Sequence, residues 1–144
     1  MQKTASRRAT LRRFAAAALC LIAPATWAQD STPMTGAEFD AYVKDRTLYY
    51  NNLGEAYGVE QYLPDRQVKW SFLDGQCKDG YWYEDGPFIC FIYEDAEGDP
   101  QCWTFFNEPT GLRALFQDTP GQTELTEITE ADEPMLCLGP DIGV

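Results

Sequence analysis

Residues 77–106 read CKDGYWYEDGPFICFIYEDAEGDPQCWTFF, and this stretch decides the fold. Asp79-Gly80 and Asp85-Gly86-Pro87 are turn signals, because glycine supplies the positive φ of a tight turn and aspartate bonds its own nearby backbone. Between and beyond them lie 81–84, 88–93 and 102–106, which are short, aromatic and β-branched, a composition of strands rather than helices. The loop 94–100 holds only acidic residues, Gly, Ala and Pro, as a solvated hairpin end would. If that hairpin is symmetric about Ala96, Cys90 faces Cys102. Facing residues on antiparallel neighbours lie about 4.5–5.5 Å apart at Cα, within the reach of a disulfide.

The strand 88–93 is apolar at both parities, with Phe88, Cys90 and Ile92 on one face and Ile89, Phe91 and Tyr93 on the other. Such a strand is covered on both sides. It belongs at the centre, with an N-terminal helix or a closed barrel wall over its second face.

Working outward, Val68, Trp70 and Phe72 alternate with Gln67, Lys69 and Ser71, a half-buried strand over 67–73. Residues 47–51 and 59–63 are further strands flanking a looser 52–58, with turns at Pro64-Asp65 and Asp74-Gly75. After a break at 107–111, Leu112, Ala114 and Phe116 alternate again. Pro120-Gly121 suits the centre of a type II turn, and 122–128 reads as a last, polar edge strand whose acids discourage edge-to-edge pairing. The tail 130–144 is expected to be irregular and tied down by Cys137. Thr35-Gly36-Ala37-Glu38 fits a capping box, and Phe39, Tyr42 and Val43 fall at i, i+3, i+4, which predicts an amphipathic helix over 36–45. It is too short to stand alone and must dock on the sheet.

The expected fold is mainly β, α+β only through that short N-terminal helix. It is an antiparallel β-meander forming a curled sheet or small barrel, lipocalin-like in outline.

Residues 1–28 have the form of a cleaved signal peptide: Lys3, Arg7, Arg8, Arg12 and Arg13 with no acid, an apolar run over 14–25, and Thr26-Trp27-Ala28 before the cut. The apolar run is too short to span a bilayer. Ser6-Arg7-Arg8-Ala9-Thr10-Leu11 resembles a twin-arginine signal, but Thr10 stands where that pattern has a large apolar residue, which puts the general secretory route first. Leu19 before Cys20 argues against a lipoprotein. Residues 29–34 are a linker and 35–144 a single domain, exported to the periplasm.

Residues 29–144 carry 23 acids against six bases, a net charge of −17. That balance disfavours nucleic acid and anionic membrane surfaces as partners. It leaves a small molecule or an envelope protein. Cys77, Cys90, Cys102 and Cys137 are an even set in an oxidising compartment. With Cys90–Cys102 assigned by the hairpin, Cys77 pairs with Cys137. On the loop-entropy argument the two bonds contribute about 3 and about 4 kcal/mol.

The chain has no histidine, which excludes His-dependent nucleophilic sites and His-ligated zinc, and it has no C-x-x-C spacing. No Gly-rich phosphate loop is present, and no cofactor or metal is expected. The adjacent pairs Glu84-Asp85 and Glu94-Asp95 flank turns and read as solvated caps rather than a glycosidase pair. Asp95, Glu97 and Asp99 alternate in a loop that lacks the length and terminal bidentate Glu of an EF-hand. The remaining candidates are aromatic. Tyr81, Trp82 and Tyr83 cannot all face the core, and with Trp103 they are the expected lining of a small-ligand site. The rival reading is an ordinary aromatic core.

Gly80-Tyr81-Trp82, Cys90 and Cys102-Trp103, preceded by Tyr62-Leu63-Pro64-Asp65 and Val68-Lys69-Trp70, resemble a pattern in small secreted alphaproteobacterial proteins of unknown function. The resemblance runs from about residue 35 to 106. It implies a periplasmic β domain and supports the Cys90–Cys102 pair, and it brings no activity. Cys77 and Cys137 lie outside it. The functional expectation is a non-catalytic exported module with a small-ligand or envelope accessory role. The alternatives are a carboxylate-dependent hydrolase of envelope glycans and a purely structural envelope protein.

Overall fold

Apart from Asp79-Gly80, the turn signals send the chain back along its predecessor, and the result is an up-and-down meander in chain order. In the computed structural model, which describes residues 32–95, 97–117, 123–128 and 135–138, helix α1 (Gly36–Val43) precedes eight strands. These are β1 (Thr47–Asn52), β2 (Glu55–Tyr62), β3 (Gln67–Ser71), β4 (Lys78–Asp85), β5 (Phe88–Tyr93), β6 (Gln101–Glu108), β7 (Gly111–Phe116) and β8 (Glu124–Ile128). All neighbours are antiparallel, and β8 pairs with both β7 and β1, so the sheet closes into a barrel. The expected small β-barrel is the fold.

Five local readings are corrected. Asp79-Gly80 is not a turn but part of β4, paired with Lys69 and Val68 of β3, and Gly80 is there for the close approach of Tyr93 rather than for a reversal. β8 is not an edge: Glu127 faces Tyr50 of β1, and closure removes the edge that its acids seemed to guard. The stretch 52–58 is not loose, because Leu53-Gly54 is a tight turn with both residues at positive φ, and pairing resumes at Asn52 opposite Glu55. The 107–111 break is likewise a two-residue hairpin, with Glu108 opposite Gly111. α1 ends at Val43 because Lys44 leaves helical geometry (ψ 124°) and Asp45 takes φ 59°. Residues 1–28, where a signal peptide is expected, Pro120-Gly121 and most of the tail lie outside the described residues.

The Cys90–Cys102 register is the one expected: the two residues are direct partners on β5 and β6, disulfide-bonded, with Cα atoms 4.0 Å apart. Cys77 is bonded to Cys137, and Leu138 N–H donates to the Gly75 carbonyl at 2.7 Å. Together they lay residues 135–138 along the outer face of β1–β3, where Val59 and Ser71 are buried although they point out of the barrel.

α1 plugs one end of the barrel. Its capping box is complete: Glu38 N–H donates to Thr35 Oγ1, and Thr35 N–H donates to Glu38 Oε2 at 2.8 Å. The Glu84 carboxylate accepts from Gly36 N–H at 2.6 Å, favourable charge at the positive end of the helix. Phe39 is fully buried and enters the barrel floor, its ring centroid 5.8 Å from Tyr62, 5.1 Å from Trp82, 6.3 Å from Phe91 and 4.5 Å from Phe105. Aromatic edge contacts of this kind stabilise by about 0.5–1.5 kcal/mol each beyond area burial.

Candidate functional site

An eight-stranded barrel is just wide enough for inward side chains to fill it or to hold one small ligand. Here the inward positions divide. Below, toward α1, Phe39 and its ring of aromatics fill the space. Above lies a cavity of about 50 Å³ whose wall includes Tyr50, Glu60, Trp70, Tyr93 and Trp103. Its rim carries Tyr57, Phe72, Lys78 and Gln101.

Two glycines shape it. Gly58 and Gly80 both stand at inward positions, opposite Tyr50 and Tyr93. A Cβ on Gly58 would overlap the Trp70 ring, so its absence lets that indole lie flat across β2. A Cβ on Gly80 would sit 2.8 Å from the Tyr93 ring and 2.5 Å from the Ile92 carbonyl oxygen. The bare backbone there lets Tyr93 reach across the lumen.

What Tyr93 reaches is Glu60. The phenol donates to Glu60 Oε2 at 2.8 Å, while Oε1 of the same carboxyl, also buried, has no hydrogen-bond partner. Glu60 is 3% exposed. Burial pushes its carboxyl up to about 8, with the Tyr93 hydrogen bond offsetting part of the shift. Tyr50 and Tyr62 pair through their hydroxyls at 3.0 Å. Burial raises both phenols, as it does Tyr93, so all three stay neutral donors. At the rim the Lys78 ammonium lies 5.2 Å from the Phe72 ring centroid and pairs with Asp95 at 2.5 Å.

A second inward carboxylate shows what a satisfied one looks like. Glu127, on β8, accepts from the Tyr42 hydroxyl at 2.7 Å, from Arg46 at 2.9 Å and from Leu112 N–H at 2.9 Å. It ties α1 and the following turn to β7 and β8, so its role is to anchor the plug.

The aromatics expected at a ligand site are dispersed. Trp103 is in the cavity wall. Trp82 shares the inner face but lies in the floor, between Phe39 and the Arg66 guanidinium, whose carbon is 4.5 Å from the indole centroid. Tyr81 and Tyr83 alternate with it and point outward, Tyr81 being 45% exposed. Of the acidic pairs, Glu84 holds the helix N-terminus, Glu94 accepts from Asp79 N–H at 3.2 Å, and Asp95 pairs with Lys78. Among the described residues no three acidic or sulfur groups converge as metal ligands.

Glu60 was the residue the sequence reading missed. A signal for it existed. Pro64-Asp65 folds β2 against β3 so that Tyr62 faces Val68 and Glu60 faces Trp70. The alternation of Val68 and Trp70 therefore already assigned Glu60 to the inside.

No family model, curated protein or solved structure matches the chain. The lumen is thus read from its own chemistry.

Proposed function

We propose that this protein is a non-catalytic binding module that holds a small molecule in the upper half of its barrel. The observation that carries the reading is the combination at Glu60: a buried carboxyl with one unpartnered oxygen, lining a cavity walled by aromatic side chains. A buried acceptor left unpaired costs about 1–3 kcal/mol, and a ligand donor that fills it recovers that cost. On the scale where one water occupies about 10–15 Å³, the cavity takes roughly three to five water-sized groups, which limits the ligand to a few non-hydrogen atoms. The basic, acid-free N-terminus and the two disulfides support export to the periplasm. The resemblance to small secreted proteins points the same way.

The hydrolase alternative has one of its two requirements. Glu60 is a carboxyl with a raised pKa, but glycoside hydrolysis uses a pair of carboxyls and room for a sugar ring. No second carboxyl lines the cavity among the described residues. The envelope-structural alternative expects a filled core, which the upper lumen lacks.

The test is a fragment screen on the oxidised domain, read by the indole N–H resonances of Trp70, Trp82 and Trp103. Binders that shift Trp70 and Trp103 and leave Trp82 in place support the lumen site. A screen whose hits all map to the outer wall, or that yields none, overturns it.

A further inference from the structure

The lumen reading leaves the ligand's chemistry open, and on that reading the wall itself narrows it. We infer that the lumen recognises a small primary ammonium ion, which donates to Glu60 Oε1.

Three observations converge. Among the described residues Glu60 is the one carboxyl in the lining, its Oε2 is fixed by Tyr93, and its Oε1 is buried without a hydrogen-bond partner. Once ionised, that carboxyl is an acceptor fixed on one side and free on the other, which selects a ligand that brings both a donor and a positive charge. Most of the rest of the wall is aromatic, including Tyr50, Trp70, Phe91, Trp103 and Phe105, and aromatic rings attract cations through their faces. The whole chain is strongly acidic, with a formal net charge of −12, so its field draws cations toward any opening.

The titratable groups around Glu60 fit this ligand. β1 contributes Tyr50, β2 contributes Tyr57 and Tyr62, β5 contributes Tyr93, and β4 contributes Lys78 at the rim. β3 faces it with Trp70, the residue after β3 with Phe72, β6 with Gln101, Trp103 and Phe105, β7 with Ala114, and β8 with Leu125. Lys78 is engaged by Asp95 and stacked against Phe72, so it leaves Glu60 as the acceptor for an incoming cation. With burial holding the Glu60 carboxyl up to about 8, the empty site is protonated at neutral pH. Entry of R–NH₃⁺ then leaves an ammonium–carboxylate pair and releases one proton to solvent. Charge is conserved inside the lumen, and no unpaired ion is buried at either end of the exchange.

The experiment titrates the oxidised domain with n-propylammonium and, in parallel, with the neutral isostere 1-propanol, reading the Trp70 and Trp103 indole resonances between pH 6 and pH 9. The amine is expected to bind with an affinity that rises about tenfold per pH unit below about 8 and then levels off, as release of one proton requires. Glu60→Gln is expected to weaken the amine at least tenfold at pH 8.5 and to abolish the dependence of its binding on pH. Binding of 1-propanol as tight as that of the amine, or amine binding indifferent to pH in the wild-type protein, overturns the ammonium inference while leaving the lumen site standing. If neither probe moves Trp70 or Trp103, the ammonium inference and the lumen reading fail together.

Discussion

Tyr93 Oη donates to one oxygen of Glu60 at 2.8 Å across the barrel, and the other oxygen of that carboxyl has no partner. The contrast with Glu127, which accepts from Tyr42, Arg46 and the Leu112 amide, gives two inward carboxyls opposite meanings. One is consumed by the fold; the other is left available by it.

The first prediction concerns pH and stability. The Glu60 carboxyl ionises near 4.5 when the chain is unfolded and near 8 in the barrel. Between those values the native state holds a proton that the unfolded state has lost, so stability contributed by this group is full below about 4.5 and falls as pH rises toward 8. The slope attributable to it is at most about 1.4 kcal/mol per pH unit. Glu60→Gln keeps the acceptor for Tyr93 and removes the titration. Urea unfolding at pH 5, 7 and 8.5 should show the variant equal to wild type at the lowest pH and more stable at the highest. Parallel curves for the two proteins would refute the buried proton.

Glu127 is tested by truncation, because it holds the fold together through its partners. Glu127→Ala leaves a buried amide and the half-buried Tyr42 hydroxyl unpaired, which costs about 1–3 kcal/mol, while the Arg46 guanidinium, 42% exposed, returns to water at little cost. Chemical denaturation at pH 7 checks this, and a loss below about 1 kcal/mol would mean that the plug is not anchored there.

The inward glycines are held by contact rather than by turn geometry. Gly58→Ala pushes into the Trp70 ring and Gly80→Ala into Tyr93 and the Ile92 carbonyl. Each is expected to cost about 1–3 kcal/mol, the range for overpacking. Gly80→Ala should also loosen the Tyr93–Glu60 hydrogen bond, seen as faster exchange of the Tyr93 hydroxyl proton.

The Cys90–Cys102 bond joins β5 to β6 on the outer wall, away from the lumen. Replacing both by alanine should lower stability by about 2–4 kcal/mol and leave the Trp70 and Trp103 indole shifts unchanged. A shift change at those indoles would place strain from the bond on the cavity.

The fold was largely legible because its signals are local. Turn dipeptides and alternating aromatics set the hairpins, and the symmetry of 94–100 placed Cys90 against Cys102. Closure was not legible. β8 reads Glu-Leu-Thr-Glu-Ile, and its acids look like solvated edge protection until Tyr42 and Arg46, some 80 positions away in sequence, are seen to satisfy one of them. The site was half legible. Aromatic content pointed at Trp82 and Trp103, but which side of the barrel is filled depends on where Phe39 enters, and that is a tertiary fact. Glu60 carries no motif that marks it, a lone glutamate within the 59–63 strand, although the β2–β3 turn fixes its parity with Trp70.

The most direct measurement is the titration of the Glu60 side-chain carboxyl by carbon-13 NMR in the oxidised domain. The account predicts a midpoint near 8, shifted down when a small ammonium ion is added. A midpoint near the ordinary carboxyl value of 4.5 would place Glu60 in contact with water and contradict the buried lumen site on which the functional reading stands.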